Sequence, residues 1–278
     1  MNIFDIMGPI MVGPSSSHTA GAARIGFLTR RLLGSTPRRA ELLLHGSFAA
    51  TGTGHGTDRA LVAGLLGMRP DDARLPRSFE LAEAAGMELT LGRAALRGAH
   101  PNTVLLRVED AAGKRLEVTA SSLGGGRVQV CAIDGLEARF TGELPTLIIR
   151  NQDRPGMVAE VTGVLSKRQV NIATMQLYRD MRGGLAVMVI ESDQPIWAAA
   201  VEELRACPGI ERVTYLNMEG EDWHGVFIGG GAAPGGRAGP PVAGGAGGRS
   251  PGAGGGRGPL LGADGRALDG HEGPSGGV

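Results

Sequence analysis

Between residues 147 and 218 the apolar positions change their spacing repeatedly, and each change marks an element. Leu147–Asn151 is a short β-branched run, followed by a polar loop, Gln152–Gly156, whose Pro155 suits the first turn of a helix. Met157, Val158, Val161, Val164 and Leu165 then recur at helical spacing up to Gln169. Val170–Tyr178 and Leu185–Glu191 alternate or run apolar like paired strands joined across Gly183-Gly184. Pro195 opens a second helix with Trp197, Val201 and Leu204 on its inner face, Pro208-Gly209 ends it, and Ile210–Met218 forms a last strand. The order β-α-β-β-α-β predicts a ferredoxin-like sandwich with one helical layer on one sheet face.

The first half is less regular. Its pattern predicts helices over Ser16–Leu33, Thr57–Leu66 and Ser78–Ala85. Strands are expected at Arg39–His45, Met87–Leu91, Thr103–Glu109, Leu116–Ser121 and Val128–Ile133, a mixed α/β domain with an antiparallel second half. A Gly-Glu-Leu-Pro connector near Gly142–Pro145 separates the halves. The expected organisation is an α+β chain: a domain over 1–143, a ferredoxin-like domain over 144–220, and a tail over 221–278. In the stretch 229–278 lie 21 of the 48 glycines, mixed with Pro, Ala and Arg. Such a segment cannot bury enough surface to offset its ordering entropy, so it is predicted to be disordered.

Composition narrows the function. Lys plus Arg number 28 against 28 Asp plus Glu, a net charge of +0 that favours neither nucleic acid nor an anionic membrane as partner. Cys131 and Cys207 are too few for a disulfide framework or a thiolate metal site, so an iron-sulfur cluster would need ligands from elsewhere. No apolar run reaches the length of a membrane span, and MNIFDIMGPI lacks the pattern of a signal peptide, so a cytoplasmic protein is expected.

Four of the six histidines sit in short Gly/Ser/Pro/Thr clusters of the first 103 residues: GPSSSHT (13–19), HGS (45–47), GTGHGTD (52–58) and HPNT (100–103). Gly13-Pro14 and then Ser15, Ser16 and Ser17 suit a turn that delivers a hydroxyl-rich helix start. There unpaired N–H groups and the helix dipole favour an anion such as a carboxylate, and His18 adds a proton-transfer group. Ser15 or Ser16 as a plain N-cap is the simpler alternative. GTGHGTD fails the dinucleotide and P-loop patterns, yet its glycines imply a backbone that approaches something closely beside His55 and Asp58. A tight turn with Asp58 as a cap would explain the same string. Together the loops suggest the walls of one pocket. A zinc site of His18, His45, His55 and His100 is disfavoured, because no pair has helical metal-ligand spacing. In the second half, the loop Asn151–Gly156 enters a helix start and Asn171 begins the neighbouring strand; amide and carboxylate side chains there could hold an amino acid's ammonium and carboxylate, unless they serve only as loop and cap residues.

GPSSSHTAGA (13–22), HGSFAATGTGHGTD (45–58) and HPNT (100–103) resemble the beta subunit of bacterial iron-sulfur-dependent L-serine dehydratase. DRPGMVAEVTGVLSKRQVNIATM (153–175) resembles the ACT small-molecule-binding domain. The first domain is also similar to the module that accompanies ACT domains in one type of phosphoglycerate dehydrogenase, which argues for an anion or carboxylate site. The resemblance implies a lyase that deaminates L-serine to pyruvate and ammonia. Its 4Fe-4S cluster would be ligated by cysteines of a partner alpha subunit, leaving this chain half of an active site with no metal of its own. It implies His18, His45 and His55 as candidate catalytic groups, Ser15, Ser16, Ser17 and Thr19 as substrate-binding ones, and Asn151, Asp153 and Asn171 as ACT ligand contacts. Self-association through the ACT domain follows from the same resemblance. Residues 221–278 match neither family, as an out-of-frame extension or an unfolded appendage would. The rival reading is a stand-alone amino-acid sensor; a scaffold would gain nothing from three histidine loops.

Overall fold

The computed structural model describes residues 11–218, so the expectations for the N-terminal decapeptide and for the tail over 221–278 lie outside the described residues. After a short π-helix, Ser16–Gly21, come α1 (Ala22–Leu33), β1 (Arg39–Leu44), α2 (Gly46–His55), α3 (Thr57–Leu65), α4 (Ser78–Ala84) and β2 (Glu88–Arg93). Four antiparallel strands follow: β3 (Thr103–Glu109), β4 (Arg115–Gly124), β5 (Arg127–Ile133) and β6 (Leu136–Phe140). The second half is β7 (Thr146–Gln152), α5 (Met157–Lys167), β8 (Ile172–Arg179), β9 (Leu185–Ser192), α6 (Ala198–Arg205) and β10 (Ile210–Leu216), the expected βαββαβ order.

The first sheet runs β2-β1-β3-β4-β5-β6. Only β1 and β2 are parallel, and such a pair needs a crossover, here α2 to α4. Ala40, Leu42 and Leu44 alternate inward along β1 under the helices, while Arg39 and Glu41 point to the open face. On that face Arg39 pairs with Glu88 at 2.9 Å, and Arg107 with Glu117 at 2.8 Å and Glu41 at 3.1 Å. Exposed pairs of this kind stabilise little. A concavity of about 440 Å³ opens there, but most of its charges pair with one another and none of its lining residues belongs to the histidine loops.

Helix α1 lies against α3 at a separation that only glycine permits. A Cβ on Gly26 would stand 2.1 Å from the Leu61 carbonyl oxygen, and one on Gly64 2.0 Å from that of Ala23. Nearly every α1 residue is buried, and Gly34, left-handed at φ 91°, closes the helix by donating to the Arg30 carbonyl. The second sheet, ordered β10-β7-β9-β8, carries α5 and α6 on one face over Leu147, Ile149, Met188 and Ile190. Its other face is covered over its middle: Ile148, Val187, Val189 and Leu216 join the core that also holds α1, Ala138 and Phe140.

Four expectations need correction. Gly46–His55, expected to be loop, is helical: Ser47 and Phe48 donate backbone N–H bonds to the Pro101 carbonyl at 2.8 and 3.4 Å, and Phe48 is completely buried. The HPNT turn thus caps a helix whose glycines made it look irregular. Strand β6 was not foreseen, because its inward residues, Ala138 and Phe140, are too few to make a periodic pattern. Trp197, placed on the inner face of α6, is 71 % exposed; it precedes the helix with ψ 141°, so the helical period does not govern its direction. Val158 is likewise 41 % exposed on α5.

Candidate functional site

Ser15 has extended φ/ψ and caps the π-helix: its Oγ accepts from the His18 backbone N–H at 3.1 Å, and the Thr19 N–H donates to its carbonyl at 2.8 Å. A π-turn is a rare, widened helix that recurs at functional sites. Here it presents Ser16 and Ser17, half buried, at the mouth of the first core. Below them Gly21 lies against the fully buried Ser122 of β4, whose hydroxyl has no protein partner.

The His18 ring is bracketed on every side. Nδ1 lies 3.3 Å from Ser15 Oγ, and Nε2 lies 3.2 Å from Ser47 Oγ and 3.1 Å from Thr51 Oγ1. Phe48 meets the ring edge-on at 5.3 Å, and the His55 ring lies 5.3 Å away, tilted by 43°. Thr19, itself buried, donates through Oγ1 to the His55 carbonyl at 3.4 Å. Burial, and then the nearness of the His55 imidazole, hold the His18 pKa below its ordinary value, against an opposing bond to the Ser47 backbone. A neutral imidazole among hydroxyls is equipped to accept a proton.

Helix α2 ends at His55, where Gly56, left-handed at φ 69°, turns the chain into α3. Asp58 is buried in the first turn of α3 and accepts from the Arg59 N–H at 2.8 Å, while Thr57 Oγ1 is buried without a protein partner. Ser15, His18, Thr19 and His55 therefore converge. His45 and His100 have other partners. His45 Nδ1 lies 3.1 Å from the Ala94 oxygen and 3.2 Å from the Leu96 nitrogen, fastening the end of β1 to the segment after β2. His100 Nδ1 accepts from the Asn102 N–H at 3.1 Å inside its own turn. Ser47, Thr51 and Phe48 were missed; the i, i+4 spacing of Ser47 and Thr51 and the i, i+3 spacing of Phe48 and Thr51 pointed to one helix face only if the glycine-rich string was read as a helix.

In the second half, Asn151 is buried; its Nδ2 donates to the Gln152 carbonyl at 2.7 Å and its Oδ1 has no protein partner. Asp153 accepts from the Gly183 N–H at 2.9 Å and from Arg179 Nη1 at 3.2 Å; these contacts, the first foremost, hold its carboxyl below the usual range. Asn171 donates to the Asp193 carboxylate. Asn151 pairs with Ala186 and Ile172 with Ser192, at opposite ends of β9. At about 3.3 Å per residue the two asparagines are roughly 20 Å apart, so one chain does not bring them to one ligand.

No cluster fits this chain's donors. Cys131 lies in β5 of the first sheet and Cys207 follows α6 in the second half, both as free thiols. Among the described residues no group of three or more His, Cys, Asp or Glu side chains could hold a metal ion. No described helix is long and apolar enough to cross a membrane.

The serine dehydratase beta chain family matches residues 2–91, and the ACT domain family matches residues 145–209. The "Probable L-serine dehydratase, beta chain" of Bacillus subtilis is 41 % identical over 215 residues, 77 % of this chain and 97 % of that protein. The L-serine dehydratase beta chain of Peptoniphilus asaccharolyticus is 38 % identical over 213 residues, 76 % of this chain and 94 % of that protein. A D-3-phosphoglycerate dehydrogenase of Methanocaldococcus jannaschii is 25 % identical over 206 residues, 71 % of this chain but 37 % of that enzyme. With these proportions and the βαββαβ second half, the chain belongs to the serine dehydratase beta chain family and carries an ACT domain.

Proposed function

We propose that this chain is the beta subunit of a cytoplasmic L-serine dehydratase, a lyase that forms pyruvate and ammonia from L-serine only in complex with an alpha subunit. The observation that carries this reading is the partly buried, neutral His18 set among Ser15, Ser47 and Thr51 at a serine-rich helix start. The N–H groups and hydroxyls of Ser16 and Ser17, at the positive end of the π-helix, receive the substrate carboxylate. His18 holds or moves a proton at an imidazole nitrogen, and His55 stands behind it. His45 supports the wall of the site through the segment after β2. The 4Fe-4S cluster belongs to the partner's cysteines, since two cysteines, one in each half of this chain, are too few for it. The domain limits we propose remain 1–143, 144–220 and 221–278.

The ACT domain associates with a second copy, which would supply the Asn171 that one chain holds far from Asn151 and Asp153. The unpartnered Oδ1 of buried Asn151 favours a second reading, an amino-acid sensor without chemistry of its own. One experiment separates them: the chain is mixed anaerobically with an alpha subunit, iron and sulfide, and pyruvate formation from L-serine is followed. Turnover well above that of the alpha subunit alone is expected. Equal rates, together with serine binding to this chain by calorimetry, would overturn the enzyme reading in favour of the sensor.

A further inference from the structure

The neutral His18 has two tautomers, and its neighbours are unequal in choosing between them. Ser15 Oγ already accepts from the His18 backbone N–H at 3.1 Å, and its hydroxyl proton is free to rotate. It can therefore donate to Nδ1 or accept from it, and does not discriminate. Ser47 Oγ, 3.2 Å from Nε2, is an equally free rotor. Thr51 differs from both. Its Oγ1 donates to the Ser47 carbonyl at 2.9 Å, one turn back along α2. With its only proton committed, that oxygen, 3.1 Å from Nε2, can meet the ring only as an acceptor.

We propose that Thr51 is a positioning residue for the serine site, holding His18 in the Nε2–H tautomer so that Nδ1, beside Ser15, is the atom that takes up a proton. This rests on the reading that His18 serves the dehydratase reaction, and it adds which nitrogen works and what selects it. The arrangement also accounts for a threonine in this place. On a helix, a β-branched hydroxyl bonded to the carbonyl four residues back has a fixed rotamer, so its free lone pair has a fixed direction. The helix itself is held by the Pro101 carbonyl at its start, which places Thr51 relative to the π-helix that bears His18.

The test is imidazole ¹⁵N–¹H correlation spectroscopy on the full chain above pH 7, with the His18 signals identified by their loss in His18→Gln. The wild type is expected to show the Nε2–H pattern. Thr51→Val keeps the shape and removes the acceptor, and a mixture of tautomers is expected; Thr51→Ser is expected to restore the single pattern. In the complex with the alpha subunit, Thr51→Val is expected to lower kcat about tenfold with little change in KM, and Thr51→Ser to recover most of it. An Nδ1–H pattern in the wild type, or an unchanged pattern in Thr51→Val, would overturn the proposal. If the spectra behave as expected while turnover ignores both Thr51→Val and His18→Gln, the tautomer assignment stands and the role of His18 in the reaction falls.

Discussion

Gly21 and Ser122 are in closer contact than any other side chain would allow: a Cβ on Gly21 would stand 2.0 Å from Ser122 Oγ and 2.8 Å from Ser122 Cβ. The π-helix that bears the serine cluster is thereby pressed onto β4 of the first sheet. Its position, and so that of His18, is set by a residue without a side chain.

Gly21→Ala forces the π-helix off β4, because a rotation of the Ser122 hydroxyl relieves the Oγ clash but leaves the Cβ contact. The expected cost is about 1–3 kcal/mol in urea unfolding, with a lower turnover in the complex. Ser122→Gly in the same chain should restore much of both. An unaffected midpoint in Gly21→Ala would show that the packing is looser than described.

Gly26 and Gly64 make the second such contact, between α1 and α3. Gly64→Ala meets the backbone of α1, Ala23 O at 2.0 Å and Phe27 N at 2.6 Å, so no side chain can rotate out of the way. It should destabilise the fold by at least about 3 kcal/mol, at the upper end for overpacked cores, and thermal unfolding of the full chain checks this.

His18→Ala and His45→Ala should separate function from support. The first removes a half-buried ring whose partners are side chains of the site itself, so pyruvate formation should fall by about 10²-fold or more with the circular dichroism spectrum preserved. The second frees the segment at Ala94–Leu96 from β1, so a lower melting temperature should accompany or exceed the loss of activity. A fully active His18→Ala complex would remove that imidazole from the site.

The lowered pKa of His18 has a signed consequence for stability. The unfolded chain takes up this proton near the ordinary value of 6.5, whereas the folded chain resists it. The stability tied to the neutral ring is therefore complete above pH 6.5 and is lost as pH falls through the depressed folded value. Asp153 acts in a lower window: its carboxyl is also depressed, so its contribution is present above 3.8 and disappears only in stronger acid. Urea midpoints between pH 7.5 and 5 should decline less steeply in His18→Gln than in the wild type. Parallel slopes would place the pH dependence elsewhere.

Ile148→Ala examines the joint between the two sheets. Ile148 lies on the face of the second sheet that enters the core of the first half, and truncation of such a side chain costs about 2–5 kcal/mol. One cooperative transition shifted to lower urea is expected. Two separate transitions, with only the later one displaced, would mean that the halves unfold independently.

Much of the fold was legible because spacing carries it. The period-2 and period-3.6 runs over 147–218 place every ACT element, and β3 was placed to the residue. Helix α2 was not legible: its local string, Gly-Ser-Phe-Ala-Ala-Thr-Gly-Thr-Gly-His, is poor helix material. It is helical because a turn some fifty residues onward, His100–Thr103, offers a carbonyl to its first N–H groups, and because Phe48 fills the core. β6 is similar, a strand made by pairing with β5 rather than by its own pattern.

The candidate site divides along the same line. From the residues alone followed the serine-rich helix start, the choice of His18 and His55 as candidates, and the small number of cysteines, since residue type and near-neighbour spacing suffice for those. Only the tertiary structure decided that His45 and His100 turn to other partners, that Asn171 stands far from Asn151, and that Ser47 and Thr51 close over the His18 ring. Hydrogen-bond partners lie within about 3 Å of one another, and which side chains come that near is set by how helices and sheets pack, a long-range outcome that no local window of sequence contains.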